Sequence, residues 1–227
     1  EPCTRPVRTV LWADGAFCPS DPIQKIHYNQ NAADKGVTCT RVMNRIFKNY
    51  EVTLRDEPVY SRNSADNPRA YIHEYCRSDE YQHVSAHGVS VRENDETLAS
   101  AILLGVGGAT GVNENSVAFD GESIYMASGD ALYSLSLPSL DLSWCVKVDF
   151  ATCFGVFWLQ DRNCLLTLGE LEIGCYTQTG EKMWSSSGPD IFTEGLELHE
   201  DIATVTDFNG DVHNINLSNG AISSANT

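Results

Sequence analysis

The chain has 227 residues, 42% hydrophobic and 20% charged, with 17 Gly and 8 Pro. This is globular composition, with length for one sizeable domain or a domain plus an appendage. No apolar run reaches the ~18–20 residues that a membrane-spanning helix needs, which excludes an integral membrane protein. A formal charge of −16 argues against nucleic acid, whose phosphates demand a basic footprint.

Residues 1–83 read as a mixed, loop-rich segment with one or two short helices. Asp21-Pro22 has the form of a helix start, with Asp as N-cap, Pro at the first helical position, and Gly36 beyond the expected end. A second helix is predicted after Thr38 or Thr40, because Val42, Met43, Ile46, Phe47 and Tyr50 fall at helical spacing. Short β-like runs follow at 50–55, 70–75 and 83–91, with a Pro/Asn/Ser-rich loop at 62–68. His73, Cys76, His83 and His87 cluster here with spacing H-x2-C-x6-H-x3-H, which matches no known zinc class. Ordinary satisfied histidines are the simpler reading, and a metal site is the alternative.

The eight cysteines divide evenly. Cys3, Cys18, Cys39 and Cys76 lie in the loop-rich stretch, where disulfide staples suit an oxidising compartment. Cys145, Cys153, Cys164 and Cys175 lie on predicted strands, where Cys serves as a small buried hydrophobe. The start Glu1-Pro2-Cys3 is that expected of a processed or trimmed chain, and a secreted or periplasmic location is favoured over the cytoplasm.

Residues 84–227 carry the acidity and a repeat. Up to residue 92 there are 12 Lys+Arg against 11 Asp+Glu, a net of +1; from 93 onward there are 3 against 20, a net of −17. Gly129, Gly169 and Gly210 recur 40 and 41 residues apart. Each precedes an acidic residue and an alternating run, and each follows a β-like run. Trp144 and Trp184 both fall 15 residues after their glycine. A weaker fourth copy starts at Gly88. In the second copy four strands are predicted at 152–160, 163–168, 170–178 and 181–185, separated by Asp161-Arg162, Gly169 and Thr179-Gly180. Asn209-Gly210 suits a two-residue hairpin turn. Four short strands per ~40–45 residues is the pattern of a propeller blade, which buries its faces against neighbouring blades. The predicted fold is therefore mostly β, a propeller-like array of three to four blades behind the N-terminal segment.

Thr179-Gly180-Glu181-Lys182-Met183-Trp184 resembles the T-G-x-x-x-W end of the quinoprotein-type (pyrroloquinoline-quinone-like) β-propeller repeat. In that family the fuller pattern A-x-D-x-x-T-G-x-x-x-W docks adjacent blades. Here Gly174 and Tyr176 stand at the Ala and Asp positions, and Ser224 stands where the third copy would have Trp. The resemblance covers about residues 116–224 and speaks to the scaffold. It implies no quinone, since the chain lacks the adjacent Cys-Cys pair of those dehydrogenases. No cofactor is expected.

Other patterns carry little chemistry. The glycines of 105–111 lack the following helix that a dinucleotide site requires, and read as a blade connection. Asp207 to Asp211 offers calcium-loop oxygens without the Gly and Glu such a loop needs, and reads as a hairpin turn. Glu170 and Glu172 are predicted to share a strand face, with Asp190, Glu194, Glu197, Glu200 and Asp201 crowding the next connection. Solvated carboxylates are the simpler reading, glycoside hydrolysis the alternative.

The expected role is non-enzymatic: an acidic surface presented to a protein partner of basic character, as in an inhibitor or immunity-type protein. Glu170, Glu172, Asp190, Glu194, Asp207 and Asp211 are the candidate contact residues. The first alternative is a secreted propeller that binds or cleaves glycan, using exposed aromatics such as Trp158 or Tyr125. The second is a quinone-dependent redox protein.

Overall fold

The computed structural model describes residues 41–78 and 82–224. The helix predicted from Asp21, and Cys3, Cys18 and Cys39, lie outside these residues. The described part is mostly β, in four sheets. The first contains β1 (Val42–Phe47), β2 (Tyr50–Asp56), β3 (His73–Cys76), β4 (Ser85–Glu93) and β5 (Glu96–Gly105). Its strand order is β1-β2-β4-β5-β3, with β3 parallel to β5 at one edge and every other pairing antiparallel. The second is the meander β6 (Val117–Phe119), β7 (Ser123–Ser128), β8 (Ala131–Ser136) and β9 (Leu142–Lys147). The third is β10 (Cys153–Leu159), β11 (Cys164–Gly169), β12 (Ile173–Thr177) and β13 (Lys182–Ser186). The fourth is β14 (Phe192–Leu198), β15 (Ile202–Asp207), β16 (Val212–Asn216) and β17 (Ile222–Ser224). Among the described residues no helix is long and apolar enough to cross a membrane.

The helix predicted over residues 40–50 is instead the β1–β2 hairpin. Phe47 pairs with Tyr50 across Lys48-Asn49, and Lys48 takes the left-handed φ of 54° that a tight hairpin turn requires. The apolar spacing there fits both periods, because both faces of β1 carry apolar side chains. Cross-strand pairing with β2 decides between them: Met43 enters the core and Phe47 stacks on Phe119, 4.8 Å between ring centroids. The fourth repeat copy also fails. Gly88 lies inside β4, not in a hairpin, and the Tyr71 ring occupies the space where its Cβ would stand.

Alternation along the strands explains how the sheets stack. In β7, Ile124 and Met126 face the first sheet while Tyr125 and Ala127 face the third. In β11, Leu165 faces back to the second sheet while Leu166 and Leu168 face the fourth. In β15, Ala203 and Val205 face the third sheet, and the half-buried Thr204 and Thr206 face away from it. Three apolar cores thus lie between consecutive sheets, as in stacked blades. A small fourth cluster of Ala86, Ile102 and Leu104 lies on the outer side of the first sheet under Tyr60 and Tyr71.

Tryptophans bind neighbouring sheets together. Trp144 on β9 lies against Gly180 in the β12–β13 turn, and its Nε1 donates to Gln178 O at 2.8 Å. Trp184 on β13 lies in the same way against Gly220 in the β16–β17 turn. Both glycines have positive φ (+82° and +74°). The matched Gly and Trp positions of the repeat are therefore inter-sheet contacts.

Among the described residues the cysteines are free thiols. Cys153, Cys164 and Cys175 are buried on strands as small hydrophobes, and Cys145 is partly buried. Cys76 donates to Ser78 O at 3.0 Å and forms no staple.

Candidate functional site

In an up-and-down sheet, the hairpin between the second and third strands lies at the same end as the connection to the next sheet. Backbone bonds knit these loops together. Asp130 N donates to Val106 O, Glu170 N to Thr152 O, Phe192 N to Glu170 O, and Phe208 N to Ile191 O, all at 2.7–2.9 Å. One end of the array is thus a continuous loop surface: 106–116, 129–130, 148–152, 170–172, 187–191 and 208–211.

Five of the six candidate contact residues gather on this end, and they divide by role. Glu170 and Glu172 do not share a strand face: β12 begins at Ile173, and both glutamates lie in the preceding hairpin. The reason is Asp149, buried in the connection before β10. Its Oδ2 accepts from the Leu171 and Glu172 amides (both 2.9 Å) and its Oδ1 from the Ala151 and Thr152 amides (2.6 and 3.0 Å). Amides so engaged have no strand partner. Glu172 is held by Lys182 at 3.0 Å, whereas Glu170 is half-buried with no side-chain hydrogen bond or ion pair among the described residues. Asp190 accepts from Asn209 Nδ2 at 2.7 Å, and Asp211 is exposed.

Asp207 is internal and unavailable to a partner. Its carboxylate accepts from His213 Nε2 at 2.8 Å and from the Asn209 and Asp211 amides at 3.0 Å. The His213 bond, with these amides, holds its carboxyl below the ordinary value of 3.8 against the pull of burial. Residues 207–211 form a hairpin turn, but not the two-residue one that Asn209-Gly210 suits: Asp207 N bonds Asp211 O, so Phe208, Asn209 and Gly210 make a three-residue loop in which only Gly210, at φ +87°, is left-handed. Glu194 lies in β14, where the register to β15 shifts between Phe192 and Leu196.

The same end exposes two large aromatics that sequence reasoning missed. Phe150 and Phe208 are 72% and 71% exposed. The repeated Asp-Phe dipeptide, 149–150 and 207–208, was the available signal: each Asp turns inward to accept loop amides and each Phe turns out. Phe150 carries Lys147 Nζ over its ring at 4.9 Å. It also walls a concavity of about 470 Å³ with Leu171, Glu172, Pro189, Asp190 and Ile191. Beside it Asp130, buried, accepts from Arg77 Nε and Nη2 (3.2 and 2.7 Å), with Lys147 Nζ at 3.6 Å. That carboxylate is internally neutralised.

The His/Cys cluster has separate attachments. His87 is buried, with Nδ1 3.1 Å from Ala127 O and Nε2 3.0 Å from Thr110 O. His83 Nε2 is 3.0 Å from Tyr60 O, and His73 stacks on Tyr75. Among the described residues no three His, Cys, Asp or Glu gather as metal ligands. Of the aromatics named for a glycan site, Tyr125 is buried between the second and third sheets, while Trp158 is half-buried, packing against the same core and lining a concavity of about 590 Å³.

No family model matches the chain, and no curated protein matches its sequence. Its structure is similar to that of the computationally designed Ika8 protein (TM-score 0.52, 9% identity, covering 82% of this chain and 49% of that one). It is also similar to a chain of the Mitotic Checkpoint Complex (TM-score 0.53, 9% identity, covering 88% of this chain and 59% of that one). The chain thus spans about half of the first structure's length and three-fifths of the second's. At this identity the likeness is one of fold, and together with the four sheets it supports a β-propeller-like architecture without specifying the quinoprotein type.

Proposed function

We propose that this chain is a non-enzymatic protein-binding module whose loop end docks a partner with basic and aromatic character. One observation carries the reading: exposed Phe150 and Phe208 stand among Glu170, Glu172, Asp190 and Asp211 on a single connected loop surface. Aromatic anchors supply contact area, and the surrounding carboxylates select basic side chains and steer encounter. The blades themselves are read as quinoprotein-type repeats used as scaffold, which the Trp144–Gly180 and Trp184–Gly220 contacts support.

The test is selection of a random peptide-display library against the immobilised protein. Selected peptides are expected to be rich in Lys or Arg with an aromatic residue. Their binding should weaken steeply between about 0.05 M and 0.5 M salt, and fall in Phe150→Ala/Phe208→Ala. Selection without basic enrichment, or binding indifferent to both phenylalanines, overturns the reading.

A further inference from the structure

The outer face of the first sheet has a chemistry unlike the rest of this acidic chain. Val52 and Leu54 on β2 point into the core, so Thr53 and Arg55 point outward. Val89 and Val91 on β4 likewise point inward, which leaves Gly88 and Ser90 on the outer face beside them. Tyr71 lies across Gly88 and closes one side. The result is a concavity of about 300 Å³ lined by Thr53, Arg55, Arg69, Tyr71, Ser90 and Thr97.

The neighbouring carboxylates are already engaged. Glu57, buried, accepts from the Tyr71 hydroxyl at 2.7 Å and from Arg69 Nη1 at 2.9 Å. Glu51 faces Arg92 at 3.8 Å. Half-buried Arg55 has neither an ion pair nor a side-chain hydrogen bond among the described residues, and the same holds for the hydroxyls of Thr53, Ser90 and Thr97. A guanidinium is always charged, and a partly desolvated charge without a partner is unfavourable. Its best-fitting partner is a carboxylate, taken as a two-pronged fork. A single free guanidinium suits a monoanion better than a doubly charged phosphate. Three uncommitted hydroxyls suit a polyol. The volume lies at the small end of ligand sites, about one sugar ring.

We propose that this concavity binds a carboxylate-bearing sugar unit, with Arg55 on the carboxylate, Thr53, Ser90 and Thr97 on ring hydroxyls, and Tyr71 as a wall. The site is on the first sheet and is independent of the loop end proposed to dock protein. The acidity of the whole chain opposes anions at long range, so affinity for one sugar is expected in the millimolar range, on the order of 1 mM.

The experiment is an amide-resolved NMR titration of the full chain with methyl glucuronide, compared with methyl glucoside, acetate and inorganic phosphate. The glucuronide is expected to shift the amides of Arg55, Gly88 and Ser90 saturably, and the glucoside to leave them unmoved. Arg55→Met should abolish the shifts, and Arg55→Lys should weaken binding roughly five-fold or more, because an ammonium lacks the fork. Ser90→Ala gives a second reading should Arg55→Met fold poorly, with a few-fold loss expected. Phe150→Ala should change nothing, which separates this site from the loop end. A glucuronate-terminated disaccharide binding more tightly than the monosaccharide identifies a glycan end as the source; equal binding identifies a free sugar acid. Equal affinity for glucoside, saturation of the same amides by acetate or phosphate at equal or lower concentration, or unchanged binding in folded Arg55→Met or Ser90→Ala overturns the proposal.

Discussion

Replacing Gly180 by Ala tests whether tryptophan–glycine contacts join the sheets. Gly180 has φ +82°, and a Cβ there would lie 2.8 Å from Cδ2 and 2.9 Å from Cε3 of Trp144, closer than side chains tolerate. Gly210 has nearly the same backbone, φ +87°, yet a Cβ there meets nothing within 4 Å. Both substitutions incur left-handed strain of about 1–2 kcal/mol. Only Gly180→Ala also forces an overpacked contact, about 1–3 kcal/mol, and threatens the indole bond to Gln178 O, about 1 kcal/mol. The expected losses are about 1–2 kcal/mol for Gly210→Ala and about 2–6 kcal/mol for Gly180→Ala, the upper end if the indole bond is lost. In a chain of this size each kcal/mol lowers Tm by about 2–4 °C. Urea unfolding followed by tryptophan fluorescence measures both. In a Trp144→Leu background the excess at Gly180 should shrink toward the Gly210 value, as a double-mutant cycle requires of a direct contact. Equal losses at the two glycines, or an excess that persists without the indole, would refute the docking argument.

Asp149→Ala removes one carboxylate from four backbone amides and should destabilise by about 3 kcal/mol or more, read from the urea midpoint. Acid should act through Asp120 and Asp207. Burial raises the Asp120 carboxyl, but bonds from Tyr125, the Glu122 and Ser123 amides and Gln178 outweigh it and leave it below 3.8. A lowered carboxyl stabilises the fold above its unfolded value and loses that contribution as pH falls through its folded value. A melt series should therefore show these contributions intact at neutral pH and lost below about pH 4, with a smaller acid loss in Asp120→Asn. Burial pushes the Cys145 and Cys153 thiols up to about 12, and burial with the neighbouring Cys164 does the same for Cys175. Iodoacetamide near pH 8 should spare these three in the native protein and label them in urea, as mass mapping would show. Phe150→Ala/Phe208→Ala should leave the melt within about 0.5 kcal/mol of the parent, since both rings face solvent.

What could be read in the sequence was whatever is encoded locally. The repeat spacing, the four strands of the third sheet, the connection at 105–111 and the place of the hairpin at 207–211 follow from period-two alternation and from residues that tolerate left-handed backbone. The strands observed at Cys153–Leu159, Cys164–Gly169, Ile173–Thr177 and Lys182–Ser186 differ from the predicted ones by up to three residues at their ends. Tertiary structure decided what depends on partners far along the chain. Residues 42–50 carry an apolar spacing that fits helix as well as strand, and pairing with β2 and packing on Phe119 settle it. Carboxylates that look alike in sequence separate by environment: Asp149 and Asp207 are consumed by backbone amides, Asp130 by Arg77, while Asp211 remains in solvent. Among the described residues Arg55 is left without a carboxylate because Tyr71 and Arg69, 16 and 14 residues later in sequence, take Glu57 first. Alternation fixes which face a side chain occupies; only the fold fixes what lies opposite that face, and hydrogen bonding and desolvation are decided there.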